Sequence, residues 1–280
     1  MENQNKTKRF PAIGDIAAMV VLFFASQLFV GAIISHLGFT QPATSAIDAT
    51  DIETYMSEQL ALGKYIAVIY PISMLFSIGV LWLYVRLRGG RQAIKIRHST
   101  SGFNPSVVLV GIVWLLAAQI LLEPLMTILP PSDGSGVGRG VWACFTAMIS
   151  APIFEELLCR GLIFETLRKR WGTMLSIVIS SLLFGLMHME PATVIVAIVA
   201  GMIFGVLYVR TSSLYTTIII HSVNNAMAFA LICIGVGDVS LYEIMGGGKL
   251  YWIIYGLSAA IFIACSIEAY FQVFRRQKAN

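Results

Sequence analysis

The stretch Gly140-Val-Trp-Ala-Cys-Phe-Thr-Ala-Met-Ile-Ser-Ala-Pro-Ile-Phe-Glu155-Glu156-Leu-Leu-Cys-Arg160-Gly-Leu-Ile-Phe-Glu-Thr-Leu167, closed by Arg168-Lys169-Arg170, decides the fold. It is apolar over far more than the roughly 20 residues that carry a helix across a bilayer. Its basic end is where the cytoplasmic flank of such a helix carries Lys and Arg. Yet Glu155, Glu156 and Arg160 lie well inside it. The stretch reads as a spanning helix that carries charge at depth.

Outward from it the apolar pattern repeats. Further spans are expected at about Asp15–Leu37, Tyr65–Val85, Ser106–Leu129, Thr173–Met189, Ala192–Val209, Leu214–Ile234 and Leu250–Phe274. The expected fold class is all-α, a polytopic membrane helix bundle of about eight transmembrane helices. Residues 1–280 form one transmembrane domain with a functional core at about 140–230. Composition agrees: 57% of the 280 residues are apolar and only 12% charged, half the charged share usual for a soluble domain.

With eight spans and both termini cytoplasmic, 15 of the 19 Lys and Arg fall on the cytoplasmic side. They lie in Lys6–Arg9, Arg86–Arg97, Arg168–Arg170, Arg210 and Arg275–Lys278, and an odd number of spans spoils the bias. The same placement disposes of nucleic acid as a partner. The net charge of +4 is spread over the ends of apolar runs and forms no basic face. Cys144, Cys159, Cys233 and Cys265 fall inside spans without CxxC spacing, and read as small buried apolar residues. The lipid bilayer, and the plasma membrane in particular, is the expected setting.

A charge near the bilayer centre costs about 2.5–3.5 kcal/mol on insertion scales, so each one there has a job. Glu123, Glu155, Glu156, Arg160 and Glu268 lie within spans, joined by His188 and His221. Most of this group falls between residues 151 and 225. Glu156 and Arg160 are four apart on one helical face and fit an ion pair. Glu155, turned about 100° away, is left for other work. Phe184 and His188 share a face of the fifth span, as do His221 and Asn225 of the seventh. Asn224 points elsewhere. A carboxylate, two imidazoles and a carboxamide are the components of water-activated acyl hydrolysis.

Other chemistries fit less well. No HExxH is present, although Glu155, His188 and His221 form a possible zinc ligand set. Gly235-Val-Gly-Asp238 spells an aspartyl-protease motif, but no second aspartate lies within a span, and it reads as a turn. The glycines of Gly134–Gly140 lack the Lys-Ser/Thr of a phosphate loop. Intramembrane Glu and His also serve proton relays, but the repeated halves typical of transporters are missing. Glu123, before Pro124, lines a cavity or sits at the interface; Glu268 is placed to snorkel. Gly201 and Gly205 have the spacing of close helix contact.

Glu155-Glu156-x-x-x-Arg160, Phe184-x-x-x-His188 and His221-x-x-x-Asn225 together resemble the three motifs of the CAAX protease and bacteriocin-processing family. The family includes the type II CAAX prenyl endopeptidases. The resemblance implies a glutamate-dependent intramembrane endopeptidase, and no cofactor or metal is expected beyond the possible zinc set above. It implies Glu155 as general base with His188, and His221 with Asn225 as oxyanion donors. Glu156, Arg160 and Phe184 would support the site. The expected partner is a membrane-associated peptide or protein, such as a leader or signalling peptide. Some relatives are immunity or scaffold proteins, so a non-catalytic peptide-binding or bacteriocin-immunity protein is the alternative.

Overall fold

A computed structural model describes residues 10–43, 51–89, 103–129, 135–237 and 239–279, the last without side chains beyond residue 273. Lys6, Lys8, Arg9, Asp48, Arg91, Lys95, Arg97, Gly134 and Asp238 lie outside the described residues, as do the side chains of Arg275, Arg276 and Lys278. The regular structure among the described residues is helical, and seven runs are long and apolar enough to cross a membrane. One of them, Gly140–Leu186, is two helices joined at Gly172, whose φ of 72° and ψ of 175° leave the helical region. That conformation is open to glycine and costly for other residues. The break falls between the fourth and fifth expected spans, so the protein is the polytopic membrane helix bundle that the sequence implies. Leu28, Val68, Leu109 and Leu257 are all more than half exposed, a surface suited to lipid and not to water.

The chain forms two compact units, residues 1–96 with 134–172, and residues 97–133 with 173–280. The first contains α1 (Ile13–His36), α2 (Ile52–Gly89) and α4 (140–171). Asp15, buried in the first turn of α1, accepts the Ala12 backbone N–H at 2.7 Å. It also takes the Tyr84 hydroxyl at 2.7 Å and the Arg88 guanidinium at 3.0 Å. The start of α1 is thereby tied to the end of α2. Midway, Gln27 Nε2 donates to Ser77 Oγ at 2.9 Å, the kind of polar contact that joins helices where apolar association has no driving force.

α2 is longer than expected. Its 38 residues rise about 57 Å, against about 30 Å of hydrocarbon. The acidic segment at Glu53 and Glu58, ahead of the span expected at Tyr65–Val85, forms its first turns. Asp51 caps it by accepting the Thr54 N–H at 3.1 Å, and the Thr54 hydroxyl and N–H hold the Asp51 carboxyl below its usual range. Gly63 lets the chain before α4 run against this extension. A Cβ there would stand 2.5 Å from the Arg139 carbonyl oxygen.

α4 is irregular. Over Thr146–Ser150 and again over Leu157–Phe164 its turns widen to i→i+5 hydrogen bonds, bracketing an α-helical Ala151–Glu156. Pro152 accounts for the first widening. It offers no N–H to the carbonyl of residue 148, and its ring crowds that carbonyl. At the far end Arg170 Nη1 and Trp171 Nε1 both donate to the Pro11 carbonyl, at 3.2 and 2.9 Å.

The second unit contains α3 (Pro105–Met126), α5 (173–186), α6 (Pro191–Thr211), α7 (Leu214–Cys233), the short α8 (Leu241–Ile244) and α9 (Lys249–Ala279). α3 starts with proline behind Asn104, whose side chain accepts the Ser106 N–H at 2.9 Å. It packs against α6, α7 and α9. α6 lies against α5 through its glycines: Gly201 faces Ser181 and Phe184, and Gly205 faces Ile177. A Cβ on Gly201 would approach Ser181 Cβ to 3.0 Å and the Phe184 ring to 3.2 Å. Gly201→Leu is therefore expected to cost about 1–3 kcal/mol by overpacking, read as a lower melting temperature in detergent. α8 carries a capping box: Ser240 Oγ accepts the Glu243 N–H at 3.1 Å, and Glu243 Oε2 accepts the Ser240 N–H at 3.0 Å. These bonds hold the exposed Glu243 carboxyl below its usual range.

Candidate active site

The residues singled out by the sequence fall in both units. In the first, α4 buries Glu155, Glu156 and Arg160, the last two completely. Arg160 Nη1 donates to Glu156 Oε1 at 2.7 Å, the i,i+4 pair that the spacing implies. Glu155 lies on another face, and the Tyr70 hydroxyl of α2 donates to its Oε1 at 2.6 Å. Arg160 is thus among the partners of Glu156, and a phenol among those of Glu155. Cys159, between them and Arg160 in sequence, is a buried free thiol.

In the second unit the two histidines meet on one phenyl ring. Phe184, buried at the end of α5, lies edge-on to His188 with ring centroids 5.1 Å apart, and edge-on to His221 at 5.6 Å. Phe204 of α6 stacks on His221 at 4.9 Å with the planes 28° apart. The imidazole of His221 is therefore fixed by rings from α5 and α6. His188 Nδ1 lies 2.9 Å from the Phe184 carbonyl oxygen. A carbonyl can only accept, so Nδ1 carries the hydrogen, and a lone pair available for chemistry is the one on Nε2. The next residue, Met189, is held at φ 61°, a left-handed conformation that is strained for a side chain of this kind.

Asn225 of α7 sits at the end of an amide chain. Gln119 Nε2 of α3 donates to Asn224 Oδ1 at 2.6 Å, and Asn224 Nδ2 donates to Asn225 Oδ1 at 3.4 Å. Asn224, expected to point elsewhere, links Asn225 to α3. Tyr70, Gln119 and Phe204 are the three residues that the sequence reading missed. Only Gln119 carries a signal, as a lone amide in an apolar span.

Two acidic residues separate from this group. Glu123 Oε1 accepts the Tyr242 N–H at 2.9 Å and so holds the first turn of α8. Glu268, half exposed on α9, lies 3.4 Å from Arg210 and accepts from Gln272 at 2.7 Å. The cysteines are less uniform than their setting in spans suggests. Cys159 is buried, Cys144 and Cys265 are intermediate, and Cys233 is exposed. Among the described residues no three His, Cys, Asp or Glu side chains gather as a metal cage. The possible zinc set draws Glu155 from one unit and His188 and His221 from the other.

The fold and these residues define a multi-pass membrane protein whose buried polar groups suit hydrolysis. Residues 138–227 match the family model described as type II CAAX prenyl endopeptidase Rce1-like. The matched segment contains Glu155, Glu156, Arg160, Phe184, His188, His221 and Asn225, and it supports a CAAX-type membrane protease in general terms. Comparison with curated proteins and with solved structures gives no match.

Proposed function

We propose that the protein is an intramembrane endopeptidase that hydrolyses a peptide bond of a membrane-associated or lipidated chain. Glu155 and His188 activate the water, which adds to the scissile carbonyl carbon while its proton passes to the Glu155 carboxylate. His221 and Asn225 donate to the oxyanion that forms. The tetrahedral intermediate then collapses, the C–N bond breaks, and the proton held by Glu155 goes to the leaving amine. Glu156 and Arg160 hold α4 in shape.

The observation that carries this reading is the division between the two carboxylates. Glu156 takes the Arg160 guanidinium at 2.7 Å, whereas Glu155, on another face, takes the Tyr70 hydroxyl at 2.6 Å. The orientation of the His188 ring, with Nδ1 on the Phe184 carbonyl, and the family match support it.

The test is an assay of the purified protein in detergent micelles with an internally quenched peptide. The peptide carries a farnesylated cysteine followed by three residues, and its unprenylated twin runs beside it. The expected result is cleavage on the amino side of those three residues, with the twin showing whether the lipid is required. His188→Ala is expected to lower kcat about 10²-fold. Binding of both peptides without cleavage would point instead to a peptide-binding or immunity protein.

A further inference from the structure

α2 lies wholly outside the matched segment, yet it supplies a direct hydrogen bond to the carboxylate in the proposed reaction. The Tyr70 hydroxyl donates to Glu155 Oε1 at 2.6 Å, a short hydrogen bond. Such a bond does two things. It fixes the rotamer of a side chain whose helix, α4, is irregular on both sides of it. It also occupies one of the two carboxylate oxygens. A guanidinium in the same place would do the first task but would oppose protonation. A phenol positions the base without neutralising it.

We propose that Tyr70 is a positioning residue for Glu155, binding the carboxylate through Oε1. This rests on the peptidase reading above. Its test is Tyr70→Phe in the full chain, assayed with the farnesylated quenched peptide. The ring and its packing stay, and only the donor goes.

Turnover is expected to fall on the order of 10–100-fold, as for other partners that orient a reacting group, with KM unchanged. The acidic limb of the kcat profile is expected to move to higher pH, because the lost bond favoured the ionised form. Glu156, Cys159 and Arg160, the titratable neighbours on α4, are the same in both proteins. If Tyr70→Phe does not fold, 3-fluorotyrosine incorporated at position 70 keeps the ring and strengthens the donor, and the limb should move to lower pH.

A variant that melts lower but keeps the wild-type kcat and pH profile would show a merely structural tyrosine and overturn the proposal. An unmoved profile with 3-fluorotyrosine would do the same. Glu155→Gln runs as a control. If it retains activity, the peptidase reading falls and this inference with it. If it is inactive while Tyr70→Phe is fully active, only the role of Tyr70 is lost.

Discussion

Glu155→Gln is expected to leave a folded protein whose kcat has dropped by about 10²–10⁴-fold, the usual contribution of a positioned general base. Glutamine has the size of glutamate, and its amide oxygen can still accept from Tyr70, so the bond now at 2.6 Å has a successor. The side chain is buried, and a neutral replacement removes a charge from a poorly solvated place. Stability should hold or rise for that reason. What glutamine cannot do is take up the proton of the attacking water. KM should change little, because the lost interaction belongs to the transition state. A melting curve and a progress curve on the same preparation separate the two effects.

Arg160→Ala is expected to fail in the opposite way, by losing the fold. Arg160 and Glu156 are both fully buried, and removing one leaves the other as an uncompensated charge inside a membrane helix. Breaking a buried pair costs about 3–5 kcal/mol, a large part of the stability of most domains. The expected readouts are low yield after extraction and a melting temperature far below wild type. Glu156→Gln should resemble it in direction, since it strands the guanidinium. Arg160→Lys keeps the charge but not the fork, and should be intermediate. Wild-type melting for Arg160→Ala would mean that the pair does not hold α4.

The spanning helices were legible because apolar length is a direct physical requirement of the bilayer. The break at Gly172 was legible as a junction of spans, since Arg168, Lys169 and Arg170 precede it. The first three turns of α2 were not legible. Glu53, Glu58 and Lys64 lower their hydropathy, and they are helical because the segment packs through Gly63 on the chain before α4. The widening of α4 was announced only at Pro152.

In the site, Glu156 and Arg160 could be paired from spacing alone, because both lie on one helix. Tyr70, Gln119 and Phe204 could not be assigned, because each acts on a residue of another helix and none is charged. The division that put Glu155 to other work could be read from one helix; the phenol that holds it could not. Glu123 is instructive in the same way. A charge at depth drew attention, but its partner is a backbone N–H more than a hundred residues further along the chain.

The most direct test of the central claim is a count of new peptide ends, by mass spectrometry, in membranes of cells making the wild-type protein or Glu155→Gln at equal levels. New ends that appear with the wild-type protein and are absent with Glu155→Gln are the predicted result. The same ends with both proteins, or none with either, would contradict an endopeptidase that works through Glu155.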